Sequence, residues 1–283
     1  EIYTLSLHDA LPIWSAERNA MTPTILISND DSFDAPGIHA LARALSRLGR
    51  VIVSAPAEPQ SAKSHSKTVR GKLKVQASVF EPDIAGYRVW GSPYDAVDIA
   101  LNALLPEPPE LLISGINHGS NVAFDILHSG TVGAASAGYF NHVPAMAVSL
   151  NSGETYDYTY AAAYALKAAR WFIHQPTNRD YVLNVNIPNC PADAIRGTMV
   201  SRMGRRHNYT NTYAHTSDGD FDYYDMAVRP NHRDSREDLS YDDYAVNHRY
   251  VVLTPLDMEV TAHASMQTLF GLTESALAPD VEG

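Results

Sequence analysis

The stretch TILISNDD (residues 24–31) decides the fold, because an apolar run of strand length leads directly into three polar residues. Apolar runs of similar length recur at residues 51–56, 111–114, 145–149, 182–187 and 251–256. Segments of helical length separate the first five runs, at Ile38–Leu48, Tyr94–Leu105, Thr131–Phe140 and Tyr158–Phe172. This alternation predicts an α/β fold with a Rossmann-like, mostly parallel sheet and helices on both faces.

Two regions depart from the alternation. Lys67–Gln76 and Tyr87–Trp90 contain the stretches KLKVQ and YRVW, whose alternating character indicates a small hairpin-type insertion. Residues 207–250 are crowded with Tyr, Asp, His and Arg and have few apolar runs. They predict an extended arm or long loop, a kind of segment that is usually functional or interfacial.

We expect the chain to consist of three parts. Residues 1–20 lack a clear strand or helix and resemble translated sequencing-adapter sequence, which predicts a non-native extension before Met21. Residues 21–188 form the Rossmann-like core. Residues 189–283 contain the arm and the closing strand and helix elements, within the same functional unit.

Composition excludes several classes of protein. A net charge of -11 and a pI near 5.5 argue against a stable nucleic-acid complex, which needs clustered Lys and Arg. No apolar run approaches the roughly 20 residues of a membrane-spanning helix, so we expect no membrane association. Cys190 is the single cysteine, which excludes an internal disulfide and a Cys-based zinc cage and favours a reducing, cytoplasmic location.

Polar side chains follow three of the predicted strands. They are the pair Asp30 and Asp31, then Ser61, and Asn117 within the glycine-containing segment 115–121. Because the carboxyl ends of parallel strands share one crevice, we expect these side chains to meet there. Two carboxylates, a hydroxyl and an amide offer only oxygen ligands, which suit Mg²⁺ or Mn²⁺ better than zinc. Taken alone, Asp30-Asp31 is better explained by a strand-ending turn with a helix cap, and Asn117 by a turn.

A possible anion site lies at Ser129-Gly130-Thr131, immediately before a helix rich in Ala and Gly. The free backbone N–H groups and the dipole at a helix start attract phosphate, and the two hydroxyls add donors. The alternative is an ordinary Ser or Thr N-cap with no ligand.

The chain resembles the SurE family of survival-protein nucleotidases in five ordered motifs. These are Asn29-Asp30-Asp31, residues 61–68, Trp90-Gly91-Ser92-Pro93, residues 114–121 and Ser129-Gly130-Thr131-Val132. The resemblance extends through residues 184–188 to Thr254-Pro255-Leu256, and so covers nearly all of the chain after Met21.

The resemblance implies a 5′-nucleotidase that hydrolyses nucleoside 5′- or 3′-monophosphates with one divalent metal ion, Mg²⁺ or Mn²⁺, per subunit. It implies metal ligands at Asp30, Asp31, Ser61 and Asn117, with the two aspartates also catalytic. We expect the phosphate at Asn121, Ser129, Gly130 and Thr131. Family members form homodimers or homotetramers by exchanging C-terminal arms, which would explain the composition of residues 207–250.

The sequence also departs from the family pattern. Ser32, Ala62 and Ala123 stand where glycine is usual, and His128 stands where tyrosine is common. Tyr223-Tyr224-Asp225 replaces a typical Tyr-Trp pair, which leaves substrate preference open.

Other functions remain open at this stage. The same crevice suits a non-catalytic metal or nucleotide sensor, or a phosphatase for another small phosphate ester or polyphosphate. An aspartyl-phosphate enzyme usually needs a second Asp two residues after the first, where this chain has Ser32. The motifs Gly-x-Ser-x-Gly and His-Glu-x-x-His do not occur.

Overall fold

A computed structural model describes residues 22–153, 155–207, 209–230 and 237–270. The extension expected at residues 1–20 lies outside these ranges. In the part of the chain that is described, no helix is long and apolar enough to cross a membrane.

The described residues form strands and helices in alternation up to Ile187 and a different pattern afterwards. The strands are β1 (Thr24–Ser28), β2 (Arg50–Pro56), β3 (Lys74–Glu81), β4 (Ile84–Trp90), β5 (Leu111–His118), β6 (Ala145–Leu150), β7 (Val182–Ile187), β8 (Gly197–Val200), β9 (Tyr209–Asp218), β10 (Phe221–Pro230) and β11 (Tyr250–Leu256). The α-helices are α1 (Pro36–Leu45), α2 (Pro93–Ile99), α3 (Gly130–Phe140), α4 (Thr159–Phe172), α5 (Asp242–Asn247) and α6 (His263–Phe270).

Nine strands form one sheet in the order β3-β4-β2-β1-β5-β6-β7-β11-β8. The six strands from β4 to β7 in this order are parallel, whereas β3 and β11 run antiparallel to β4 and β7. The predicted mostly parallel α/β sheet is therefore confirmed. The chain continues from β1 to β2 on one side and later returns to β5 on the other, so the switch point of the sheet lies between β1 and β5.

The helices cover both faces of the sheet. Helices α1 and α4 bury residues such as Ile38 and Phe172 against one face, which includes Ile25 and Ile27 of β1. Helices α2 and α3 cover the opposite face, where Leu26 points. Burying one such side chain contributes roughly 1.5–3 kcal/mol, and a strand buried on both faces needs the continuous apolar run found in β1.

The helix starts follow local sequence signals. Pro36 occupies the first turn of α1, where a missing N–H costs nothing. Ser92 and Asp95 form a capping box at α2, each side chain accepting from the other's backbone N–H. Ser129 caps α3. The second half of the predicted helix Tyr94–Leu105 differs, since the chain becomes π-helical at Ala100–Leu104.

Two other predicted regions contain paired strands. The expected hairpin is present as the antiparallel pair β3 and β4, although β3 begins only at Lys74 and β4 also pairs in parallel with β2, so the hairpin forms one edge of the main sheet. The described part of residues 207–250 contains the antiparallel pair β9 and β10 and the helix α5, which confirms the predicted extended arm. Most side chains of β9 and β10 are exposed.

Candidate metal and phosphate site

The strand β1 ends in a turn built by Asn29. Its side chain is buried, and Nδ2 donates to the carbonyl oxygen of Ser32 at 2.7 Å. The Oδ1 atom accepts no hydrogen bond from any residue that the structure describes. The turn therefore fixes the direction in which the two following carboxylates leave the sheet.

Asp30 is buried and lies in contact with the start of α3. The Thr131 hydroxyl donates to Asp30 Oδ1 at 2.5 Å. A Cβ at Gly130 would lie 2.7 Å from the Asp30 Cβ, so only glycine allows this approach. Burial, opposed by the Thr131 hydrogen bond and aided by the nearby Asp31, raises the pKa of Asp30 to about 6.

Asp31 is less buried and faces the end of β5. Its Oδ2 accepts from the backbone N–H of His118 at 2.9 Å. The Asn117 amide nitrogen donates to the Gly119 carbonyl oxygen at 2.8 Å, which leaves the amide oxygen to act as a ligand. Burial raises the pKa of Asp31, and the contact with His118 lowers it.

Ser61 lies in a segment that is anchored on both sides. Gln60 N donates to the Asp30 carbonyl oxygen at 2.7 Å, and Ser64 N donates to the His128 carbonyl oxygen at 3.1 Å. The Ser64 carbonyl would be only 1.9 Å from a Cβ at Gly133 in α3. Ser61 itself is exposed between these anchors. Its role as a metal ligand stays a prediction.

The start of α3 combines a cap with a possible anion site. Ser129 Oγ accepts from Val132 N at 3.0 Å, so the N-cap alternative describes its geometry. The capping hydroxyl keeps its own proton, and the backbone N–H groups of Gly130 and Thr131 belong to the first turn. Phosphate binding at this turn remains compatible with the cap.

Asn121 is held by polar residues that the sequence interpretation did not single out. Its Nδ2 donates to Ser149 Oγ at 2.8 Å. Its carbonyl oxygen accepts from Asn184 and Asn186 at 2.9 and 3.0 Å, and Asn186 Oδ1 accepts from its backbone N–H at 2.8 Å. The signal in the sequence was two asparagines at alternate positions of the otherwise apolar run VLNVNI.

The donor set fits a hard divalent cation. Two neighbouring carboxylates in a buried crevice repel each other, and a cation between them would favour their ionised forms. Within the described ranges, no group of three or more His, Cys, Asp and Glu side chains is arranged to hold a metal. A cation here would combine Asp30 and Asp31 with neutral oxygens, which suits Mg²⁺ or Mn²⁺.

Known proteins resemble this chain over most of its length. Residues 25–210 match the family model described as Survival protein SurE. The chain belongs to the SurE family. It is 42% identical to the 5′-nucleotidase SurE of Chlorobaculum tepidum over 242 residues, which cover 85% of this chain and 91% of that protein.

Two further SurE proteins extend the comparison. The 5′-nucleotidase SurE of Chlorobium chlorochromatii is 37% identical, with 93% of this chain and 96% of that protein covered. The crystal structure of the SurE protein of Aquifex aeolicus has a TM-score of 0.75 and 33% identity, covering 88% of this chain and 99% of that chain.

Three positions that depart from the SurE pattern share an unusual backbone conformation. Ser32, Ala62 and Ala123 have φ angles of 109°, 59° and 52°. Glycine adopts positive φ without a steric penalty, whereas a Cβ there costs roughly 1–2 kcal/mol. Ser32, Ala62 and Ala123 therefore hold a strained backbone conformation.

This strain predicts that Ala62→Gly stabilises the protein. Ala62 is exposed, so the change removes no buried contact. The relief of strain exceeds the conformational entropy cost of glycine, and we expect the free energy of unfolding to rise by up to about 1 kcal/mol. Urea denaturation measures this change. Ala163→Gly, at an exposed position of α4, is the control and should lower stability by about 1 kcal/mol. A loss of stability in Ala62→Gly would show that the backbone at Ala62 is not strained.

Proposed function

We propose that this chain hydrolyses nucleoside 5′-monophosphates to nucleoside and phosphate, as a metal-dependent phosphomonoesterase. The observation that carries the proposal is the hydrogen bond from Thr131 to Asp30. It brings the buried carboxylate of Asp30, with Asp31 next to it in the chain, against the helix start that would bind phosphate. The relatives named 5′-nucleotidase SurE support the choice of nucleotide as substrate.

A phosphate beside two carboxylates needs a cation between them. Asp30, Asp31, Ser61 and Asn117 would hold one Mg²⁺ or Mn²⁺ ion. Such an ion neutralises charge on the phosphate and lowers the pKa of water, so that hydroxide is available near neutral pH. The first turn of α3 would bind the phosphate oxygens, with Asn121 on the side of β6 and β7.

The two aspartates have different environments and would have different roles. Asp30 is buried and oriented by Thr131, so it would hold the ligand geometry. Asp31 is more exposed and would orient the attacking water and accept its proton. In phosphoryl transfer, positioning and charge stabilisation of this kind supply most of the catalysis.

The proposal predicts that Asp30→Asn removes metal-dependent hydrolysis. The change deletes one charge at the centre of the donor set. We expect kcat/KM for AMP to fall by on the order of 100-fold or more, since even outer-shell changes at metal sites cost about 10- to 100-fold. This loss is measured as phosphate release by the unchanged chain and by Asp30→Asn, with and without chelator. The substrates are AMP, GMP, 3′-AMP, glycerol phosphate and polyphosphate.

Asp83→Asn is the matched control, because Asp83 lies exposed in the turn between β3 and β4. It should keep the rate of the unchanged chain. Release that persists in Asp30→Asn or in chelator would refute the site. Nucleotide binding without turnover would indicate a sensor. A preference for glycerol phosphate or polyphosphate would show that nucleoside monophosphates are not the main substrate class.

The nucleoside would lie against the exposed imidazole of His118. This ring lies over Tyr156 with a centroid distance of 3.6 Å and a tilt of 34°, and the backbone N–H of His118 donates to Asp31. Tyr213 and Tyr223 of the arm, which also offer aromatic faces, are exposed on β9 and β10. An aromatic ring beside the catalytic carboxylate is the better placed partner for a base.

His118→Ala should therefore raise KM for AMP more than KM for glycerol phosphate. Because stacking of one base contributes about 1–3 kcal/mol, we expect at least about a 5-fold loss of kcat/KM for AMP. His174→Ala is the control, since His174 is exposed beyond the end of α4. Equal losses for both substrates would argue against a nucleoside contact.

We also propose that the arm joins subunits into a homodimer or homotetramer. The cross-strand pairing of β9 and β10 gathers apolar side chains on one face of the hairpin. These exposed residues are Tyr209, Tyr213, Tyr224, Met226 and Val228. A two-stranded hairpin is marginally stable alone in water, so such a face favours burial against another subunit.

Replacing the cross-strand pair Tyr213 and Met226 with serine tests this proposal. Both side chains are 60% exposed, so the subunit fold should survive. We expect a shift to monomer in sedimentation velocity at micromolar concentration. Trp171→Ser, which changes an apolar residue that is 51% exposed on α4, should leave the assembly unchanged. Identical sedimentation of all three proteins would disprove an arm-mediated interface.

A further inference from the structure

Asp242 is a fully buried carboxylate far from the candidate site in sequence. It lies at the start of α5, and its Oδ1 accepts from the backbone N–H groups of Gly204 and Asp243, both at 2.8 Å. Ala123 N donates to the same carboxylate, at 3.2 Å from Oδ1 and 3.1 Å from Oδ2. One side chain thus satisfies three backbone donors, two in distant segments and one, Asp243, next to it in its own segment.

The three segments have different roles in the molecule. Ala123 belongs to the loop that leads from Asn121 towards the start of α3. Gly204 lies in the segment 202–206, which precedes the arm hairpin. A second set of contacts joins the same segments, since Phe124 N donates to the Arg206 carbonyl oxygen at 3.0 Å. The Arg206 guanidinium contacts Asp243 Oδ2 at 2.7 Å.

A carboxylate suits this position better than any neutral side chain. It offers only acceptors, whereas an amide would direct an NH₂ group at donors that are already buried. Burial raises the pKa of Asp242 to about 6, even though the hydrogen bonds from Gly204, Ala123 and Asp243 act to lower it. The strained φ of Ala123 adds a reason for a firm anchor at this residue.

We propose that Asp242 is a positioning residue that holds the loop Asn121–Phe124 against the base of the arm. The position of Asn121 and the approach to α3 then depend on the docking of segment 202–206. This inference rests on the proposed function, because Asn121 matters for catalysis only if phosphate binds there. The proposed metal ligands lie outside the loop, so Asp242 acts on phosphate binding and leaves metal binding intact.

Asp242→Asn is the main test, with Asn178→Ala as a matched control for lost stability. Asn178 is also buried and makes two side-chain hydrogen bonds to backbone carbonyls, at the opposite end of the sheet from the site. We expect Asp242→Asn to bind Mn²⁺ within 2-fold of the unchanged chain. Its kcat/KM for AMP should fall at least 10-fold, with faster amide hydrogen exchange in residues 121–131.

Asn178→Ala should lose stability while keeping kcat/KM and the exchange of residues 121–131. If Asp242→Asn does not fold, Asp242→Glu decides by the same measurements, since it keeps the charge but displaces the oxygens. Unchanged exchange in residues 121–131, or a loss of kcat/KM no larger than in Asn178→Ala, would overturn the inference. If the unchanged chain does not hydrolyse AMP, the proposed function fails, whereas the exchange comparison still tests the positioning role.

Discussion

The candidate site depends on keeping the carboxylate of Asp30 in a buried crevice. Removing a charge from water is costly unless hydrogen bonds or a counter-ion compensate. Here the Thr131 hydroxyl and the positive end of α3 supply part of that compensation, and a divalent cation would supply the rest. The contact explains why α3 begins where it does, with glycine at position 130, because any larger residue would push the helix away from the strand.

Other backbone segments also approach each other closely around the crevice. The segment 60–64 lies so near α3 that Gly133 cannot carry a side chain. The backbone of this segment is hydrogen-bonded to the carbonyl oxygens of Asp30 and His128. On the other side, the N–H of His118 orients Asp31. Positive φ angles at Ser32, Ala62 and Ala123 show that neighbouring turns keep their shape despite the steric penalty of a Cβ. Local backbone strain is thus found in turns that lie beside the proposed metal- and phosphate-binding residues.

The chain after β7 contributes strands to the main sheet and also forms a hairpin outside it. Strands β8 and β11 complete the main sheet, while β9 and β10 form a separate hairpin. Between them, the buried carboxylates of Asp242 and Asp243 tie the base of the hairpin to the loop that carries Asn121. If subunits assemble through the hairpin, these contacts would therefore connect the subunit interface to the proposed phosphate site.

The sequence alone determined the parallel α/β core, and it predicted polar residues at the carboxyl edge of the strands. Continuous apolar runs such as TILIS need burial on both faces, and polar residues directly after them must lie at the carboxyl edge. It predicted an extended arm but not the pairing of β9 with β10, whose strands are mostly exposed. Nor did it indicate Asp242, because an Asp at a helix start looks like an ordinary cap. Only the tertiary structure indicated that role, since two of the three backbone donors that meet at Asp242, those of Ala123 and Gly204, come from segments far from it in the chain.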